Sequence, residues 1–494
     1  MTRRDHLDVA WEMWQSGDAF HLSRNYELYT HKPPLLFWLI NLVWLATGVS
    51  EWAARLVGPA FGVASVFAAA ALARRIWPGD RETAARAALM LASFSVFLLY
   101  GGATMFDTML TLATGLGIAL LWAIGSGEGG RRHWVGFGVV LAFGVYAKGP
   151  VIFVHLLPAL LTMRVWAPEP PGWRVLGRGL LLSIGVGLAV VALWLVPALL
   201  AGSDAYRHEL LWTQSAARVA GGLAHDRPVW FLAALLPVLL FPWGWSLRLW
   251  RAAGRAMRAD HGLRLAAIWS VSGLVLFSLI SGKQAHYLMP EFPAVALLLA
   301  RAYGSVKRQR RHLALAALVP AVLGLGVLCL AAGLVPVSGD LALLAPTLPV
   351  VVCGLLLLAV AVAGWRLGTL AGPALMGAGV VLVLHAIVAT TGLYGAYDAR
   401  AIAARLHAAE PGGLAETAKP YHAEFNFAGR LSAPVATPSG AAELRDWAAA
   451  NPGGLLFGPV GQVPVAAAPE TAIRYNQTVY GFWPASQVAL SVRE

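Results

Sequence analysis

The sequence predicts an all-α polytopic membrane protein of about twelve spans followed by a small C-terminal α/β domain, and three observations predict it. Of its 494 residues 58% are hydrophobic and only 13% charged, where charged residues alone make up roughly a quarter of a soluble domain. Apolar stretches of about twenty residues recur with short polar breaks, the length a helix needs to cross a hydrocarbon layer roughly 30 Å thick. The arginines gather in alternate breaks, as topology requires of a chain threaded back and forth through a bilayer.

Taken in order, the apolar stretches are 54–76, 83–101, 105–125, 132–148, 150–166, 178–202, 229–249, 263–281, 285–302, 311–335, 345–367 and 370–394. In lipid these must be helices, because only a helix satisfies its backbone within one segment. The run from Leu35 to Ala46, just after Pro33 and Pro34, is too short to span and reads as an interfacial helix. Cys329 and Cys353 both fall inside apolar stretches, so they read as packing residues and not as a disulfide or metal pair.

One set of breaks carries Arg74, Arg75, Arg81 and Arg86, then Arg131 and Arg132, then Arg248, Arg251, Arg255, Arg258 and Arg264, then Lys307, Arg308, Arg310 and Arg311. The positive-inside rule places these in the cytoplasm. The other set comprises residues 1–53, the turns near Gly102 and Lys148, the loop 203–228, the turn near Lys283 and the tail from about 395, all expected on the periplasmic side of a bacterial inner membrane. The net charge of +12 is therefore topological, and nucleic acid is excluded as a partner. With residues 1–53 outside and no helix ahead of them, a first transmembrane helix is expected upstream of Met1.

The tail from Asp398 to Glu494 is rich in Pro, Gly and polar residues and reads as a soluble module. Ala441–Ala450 has helical character, and 454–457 and 487–492 read as short strands.

The stretch from Val9 to Arg55 holds the most information. It contains V-A-W-E-M-W-Q-S-G-D, then Y-T-H-K-P-P-L-L-F-W-L-I, then G-V-S-E-W-A-A-R-L. Further on come W-T-Q-S-A-A-R-V-A-G with A-H-D-R-P-V-W, and the turn S-G-K-Q-A-H-Y-L-M-P-E-F-P-A. On these motifs, the Lys-Pro-Pro and Lys-x-x-His-Tyr-x-x-Pro signatures above all, the chain resembles the lipid A aminoarabinose transferases and the dolichyl-phosphate-mannose protein mannosyltransferases along its whole length. That resemblance implies a GT-C fold and a polyprenyl-phosphate-linked sugar as donor. It also implies a lipid or glycan acceptor and a site where the first outer loops meet the membrane surface.

The chemistry of the residues agrees. A departing lipid phosphate needs fixed positive charge near the headgroup plane, and Lys32, Arg218, Arg227 and Lys283 are cations on outer loops where topology gives no reason for them. The competing reading anchors them to membrane lipid headgroups or pairs them with Asp204, Glu209 and Asp226. Asp107 opens the stretch 105–125, and a carboxylate at that boundary needs a reason to be there. It matches an acidic residue of the family's second outer loop and is the candidate catalytic group, whether it orients the acceptor, binds a metal or acts as base, unless it merely snorkels beside Lys148.

His31, His225, His286 and Tyr287 complete the candidates as polar rings at the outer boundary. In the resembling family the residue before the Lys-Pro-Pro lysine is commonly acidic, and here it is His31, so no metal is assigned and a divalent ion is left open. The family's first-loop carboxylate falls, counting back from Lys32, on Thr2 or Arg3. Asp5 and Asp8 are the nearest replacements, Asp5 only with a shifted register and Asp8 within a predicted helix. A flippase or transporter of lipid-linked sugars is the alternative reading, but the sequence shows no internal repeat and its charges sit at the boundary instead of mid-span.

Overall fold

The computed structural model describes residues 5–210, 227–306, 314–344, 347–417 and 421–492. Two helices precede the bundle, α1 (Asp5–Ser16) and α2 (Leu35–Thr47), joined through a two-stranded hairpin of β1 (Ser23–Arg24) and β2 (Glu27–Leu28). Asn25 and Tyr26 turn that hairpin with positive φ of 55° and 61°, the conformation a tight two-residue turn requires.

The bundle runs through α3 (Glu51–Ile76), α4 (Arg81–Ser93), α5 (Ser95–Gly101), α6 (Phe106–Gly125), α7 (Arg131–Lys148), α8 (Ile152–Leu161), α9 (Trp173–Ala201), α10 (Phe231–Leu239), α11 (Leu247–Ala256), α12 (His261–Leu279), α13 (Phe292–Tyr303), α14 (Ala314–Ala331), α15 (Leu348–Arg366) and α16 (Ala371–Thr390). Among the described residues seven segments are long and apolar enough to cross a membrane, or eight if α4 and α5 form one bent span. The sequence offers about twelve apolar stretches, and the difference lies in backbone breaks that hydropathy does not register. The chain reverses at Gly149, whose φ is 77°, and α8 runs back beside α6 with Leu156 against Gly117, followed by Trp166 against Gly125. At ten residues α8 is about 15 Å long. The stretch 229–249 becomes the nine-residue α10 with Pro237 inside it, and 285–302 divides into a 3-10 turn over Ala285–Glu291 and the twelve-residue α13.

Where α4 meets α5 the axis bends by 70° at Phe94. The freed backbone is satisfied from neighbouring segments, as a broken helix inside lipid demands. Ser95 donates its N–H to Phe241 O at 3.1 Å and its hydroxyl to Gly377 O at 2.9 Å.

Residues 400–492 form a four-stranded sheet in the order β3 (Leu414–Glu416), β4 (Leu455–Pro459), β6 (Thr478–Pro484), β5 (Thr471–Tyr475), parallel only between β3 and β4. Side chains alternate along β4, so Leu455 and Phe457 pack with Ile402 and Leu406 of α17 (Arg400–Ala409), while Leu456 packs with Leu444 of α18 (Ala441–Ala450). The strand expected over 487–492 is instead α19 (Ala485–Ser491). Its alternation of Val488, Leu490 and Val492 is too short to fix a period. Burial of Ala485 and Val488, three residues apart, sets the helix, and Leu490 is left exposed.

This sheet unit is tied to α1 and the hairpin. Asp8 Oδ1 accepts from the Phe427 N–H at 2.7 Å, and the Trp11 indole donates to Leu431 O at 2.8 Å. The Asn25 amide exchanges two 2.8 Å hydrogen bonds with the Val435 backbone. Phe427 stacks on Trp44, and both join one apolar cluster with Leu36, Phe37, Phe106 and Ala147. Residues from α1, α2, the heads of α6 and the tail thus meet at one end of the bundle.

Candidate active site

Charges sort to the two ends of the bundle. α3 begins beside Thr104, whose hydroxyl donates to Arg55 O, and finishes at Trp77, whose indole donates to Asp260. Its 26 residues separate these ends by about 39 Å. Gly102, Lys148 and Lys283 fall at the first end, and Arg74, Arg75, Arg81, Arg131 and Arg264 at the second, so the loops grouped by charge in the sequence are grouped in space.

At the first end, Asp107 sits in the opening turn of α6, with its side chain 4% exposed. Met105, just before it, is extended and no side chain caps the helix. The carboxylate lies beside the helix's unpaired N–H groups, where negative charge is favoured. Lys148, the last residue of the antiparallel neighbour α7, places Nζ 2.5 Å from Asp107 Oδ1. His286 Nε2 stands 4.0 Å from Asp107 Oδ2. Tyr287 lies under the Lys148 ammonium at 4.4 Å and edge-on to His286, and Tyr100 of α5 packs edge-on to the other side of His286. Lys32 Nζ is 5.7 Å from the ring of Phe106, one residue before Asp107. One carboxylate, two ammonium groups, an imidazole and two phenols therefore converge from α5, α6, α7, the Lys-Pro-Pro turn and the 285–291 turn.

The remaining candidates divide. His31 is exposed, with its ring edge-on to Tyr29. Arg227 is exposed, lies over Phe231 and gives its backbone N–H to Ser281 O, joining the two outer loops. Lys283 departs from its expected role. It is 1% exposed and donates to Ser278 O at 2.7 Å and Pro228 O at 3.3 Å, so most of its donor capacity closes the end of α12. Asp5 opens α1, while Asp8 is buried and holds the Phe427 amide, which makes it a structural tie. Arg218 and His225 lie outside the described residues. Among the described residues no three His, Cys, Asp or Glu side chains are grouped to hold a metal.

Two features escape the sequence reading. Glu12 of the W-E-M-W motif accepts from the N–H groups of Asn25 and Tyr26, from the Ser23 hydroxyl and from the Asn426 amide, so it fixes the hairpin that leads into Lys32. Burial raises its pKa above the ordinary carboxylate value in spite of those hydrogen bonds. Behind Tyr287, His155 Nδ1 meets Glu291 Oε1 at 2.6 Å, both side chains at most 5% exposed. A Cβ at Gly273 would stand 2.1 Å from that carboxylate, so only glycine lets α12 approach it. The pair fixes the turn bearing His286 and Tyr287 to α8.

With this arrangement defined, comparison with known proteins is direct. Residues 31–196, from His31 into α9, match the family model for dolichyl-phosphate-mannose-protein mannosyltransferase. An undecaprenyl phosphate-alpha-4-amino-4-deoxy-L-arabinose arabinosyl transferase of Pseudomonas paraeruginosa is 32% identical over 313 residues, and its counterpart in a Pseudomonas aeruginosa strain 30% over 311. Each alignment takes in 62% of this chain and 55% of the relative, so the chain spans about half the length of the curated relatives it matches. The crystal structure of ArnT from Cupriavidus metallidurans bound to undecaprenyl phosphate superposes with a TM-score of 0.74 at 18% identity, covering 99% of this chain and 94% of that one. The chain has the ArnT fold. The mostly helical architecture with several apolar spans agrees with it, and the resemblance to GT-C transferases read from the Lys-Pro-Pro and Lys-x-x-His-Tyr-x-x-Pro motifs stands. Within the ArnT fold, the model match opens on the His31-Lys32 dipeptide and encloses Asp107 and Lys148.

Proposed function

We propose that this chain is a membrane glycosyltransferase that moves a sugar from a polyprenyl-phosphate donor to lipid A or another glycan or protein acceptor at the periplasmic face of a bacterial inner membrane. The observation that carries this reading is the meeting of Asp107 with Lys148 and His286 at the end of the bundle reached by Lys32, in a chain similar to undecaprenyl-phosphate aminoarabinose transferases. The names of those relatives make 4-amino-4-deoxy-L-arabinose the first donor sugar to try.

In this reading the short helices α8, α10, α13 and α14 count as crossings. They take the total to about twelve, because each continues the alternation between the two ends. The Arg-rich end is cytoplasmic by the positive-inside rule, which leaves Asp107, residues 1–53 with their interfacial helices, and the sheet unit from about 395 outside.

The chemistry is a displacement at the anomeric carbon. An acceptor oxygen, oriented and where necessary deprotonated by Asp107, forms the new bond while the bond to the lipid phosphate breaks. Lys32 and Lys148 stabilise the charge that grows on the departing phosphate, with Arg227 at the rim. In-line attack inverts the anomeric centre. Lys283, largely committed to two carbonyls, contributes its positive field more than a direct contact.

The test follows labelled sugar from a radiolabelled polyprenyl-phosphate-sugar pool in membranes, comparing the parent with Lys32→Ala and Asp107→Asn. The expected outcome is label moving to an acceptor in the parent and falling by two orders of magnitude or so in both variants, the scale of a lost charge-stabilising or acid–base group. Sugar-lipid that crosses the bilayer uncleaved in the parent would reject the transferase and favour a flippase.

A further inference from the structure

At the end of the bundle opposite Asp107, α11 buries Leu249, Ala252 and Ala253, the last two packed with Ala302 at the end of α13. Trp245 and Trp250 flank its start, their indole N–H groups bonded to Pro237 O at 2.6 Å and Gly244 O at 2.8 Å, and Leu247 is 59% exposed beside them. An amphipathic helix headed by tryptophans and an exposed leucine has the anatomy of a membrane–water boundary. From it Arg251 and Arg255 project one turn apart on one face, and Arg258 follows in the turn after the helix ends at Ala256. Together with Gly254 they line a hollow of about 400 Å³. Among the described residues none of the three forms an ion pair, and Asp260, close by in sequence, is engaged with Arg301, Trp77 and the Leu263 N–H.

We propose that this hollow binds the phosphate headgroup of an anionic phospholipid. Guanidinium groups present paired N–H donors that match phosphate oxygens, and several converging on one concavity neutralise a phosphate that a single exposed arginine would hold only loosely. Basic pockets at the cytoplasmic boundary of helical bundles have this use. A lipid fits better than a free phosphate because Leu247, Trp245 and Trp250 offer apolar surface on the same helix for acyl chains. The positive-inside rule explains arginines in this loop, but it gives no reason for three of them to surround a residue without a side chain. A Cβ built on Gly254 meets nothing within 4 Å, so the space above it is open and a larger residue there fills the hollow without disturbing the fold.

That gives the experiment, which is independent of the proposed transferase activity. The full chain in detergent is titrated with phosphatidylglycerol, phosphatidylethanolamine or inorganic phosphate, and bound lipid is counted by native mass spectrometry. Alongside the parent run Gly254→Leu and the triple variant Arg251→Gln, Arg255→Gln, Arg258→Gln. The parent is expected to retain phosphatidylglycerol in preference to phosphatidylethanolamine. The triple variant is expected to bind it on the order of a hundred-fold more weakly, at roughly five-fold per arginine near the lipid surface, and Gly254→Leu to lose it with all charges intact. Equal retention of the two lipids would overturn the proposal. So would displacement of the lipid by millimolar inorganic phosphate, which assigns a soluble anion. Parent-like retention by Gly254→Leu beside loss in the triple variant would overturn it too, leaving a diffuse basic face instead of a site. The two variants alter charge and shape separately, and Gly254→Val, run beside Gly254→Leu, keeps the shape test in hand should the larger side chain misfold.

Discussion

The two ends of the bundle each hold acidic groups facing basic ones, and they arrange them differently. At the arginine-rich end, Asp80 caps α4 by accepting from the Thr83 N–H and hydroxyl and also takes Arg301 Nη1 at 2.7 Å. Asp260 caps α12 through the Leu263 N–H and takes the Trp77 indole and Arg301 Nε. Both oxygens of each carboxylate accept hydrogen bonds, and Arg301 Nε and Nη1 each have an acceptor. At the other end, among the described residues, Asp107 has one close partner, Lys148, with the second oxygen 4.0 Å from His286. A carboxylate engaged at both oxygens clamps helices together, whereas Asp107 has an ammonium against one oxygen and an imidazole farther off from the other. In the proposed function, this contrast assigns chemistry to the Asp107 end and architecture to the Asp80 end.

The sharpest way to break that contrast is Lys148→Met. If Lys148 serves the reaction, transfer of labelled sugar falls by roughly a hundredfold or more, while thermal unfolding in detergent moves modestly because His286 still lies beside Asp107. Full activity with a large loss of stability would make the pair a clamp of the Asp80 kind. At the opposite end Arg301→Met removes hydrogen bonds to two carboxylates at once. With Arg301 itself about one-third exposed, destabilisation of about 2 kcal/mol is expected, with turnover per folded molecule unchanged. A fall in turnover that outstrips the loss of folded protein would erase the division between the ends.

How much of this was legible follows the same division. The end each loop belongs to could be read from arginine placement alone, because the rule concerns composition and not contacts. Asp107 could be picked out because a carboxylate at the boundary of a hydrophobic stretch is rare enough to demand a partner. Lys148 was visible only as a neighbour. The signal that would have promoted it is its place as the last residue of a stretch running antiparallel to the one Asp107 opens. Lys283 shows the limit of that logic, since a cation on an outer loop looks the same in sequence whether it faces a ligand or, as here, the carbonyls of Ser278 and Pro228. His155 and Glu291 are 136 residues apart, and nothing local links them. Each is nevertheless an ionisable residue within an apolar stretch, which was a sufficient reason to look for its partner. The shortening of helices at Pro158, Pro237 and the reversal at Gly149 was not legible, because hydropathy averages over such breaks.

The smallest expected effect sharpens the comparison by pH. Burial acts to raise the pKa of Asp80, but its hydrogen bonds to Thr83 and Arg301 outweigh that and hold it below the ordinary value of 3.8. A carboxylate depressed in the folded state binds its proton less readily there than in the unfolded chain. Its contribution is therefore complete above about pH 4 and is lost as the pH falls through the depressed value. Because Asp80 is about 30% exposed, that contribution is of order 1 kcal/mol at most. Asp80→Asn keeps a capping side chain for α4 but has no charge to titrate. Unfolding midpoints of the two proteins in detergent should therefore differ at pH 6 and converge toward pH 3, the parent declining and the variant staying flat by comparison. Parallel curves across that range would mean that Asp80 caps α4 as a neutral acceptor does, and the clamp at this end would then rest on Asp260 and Arg301 alone.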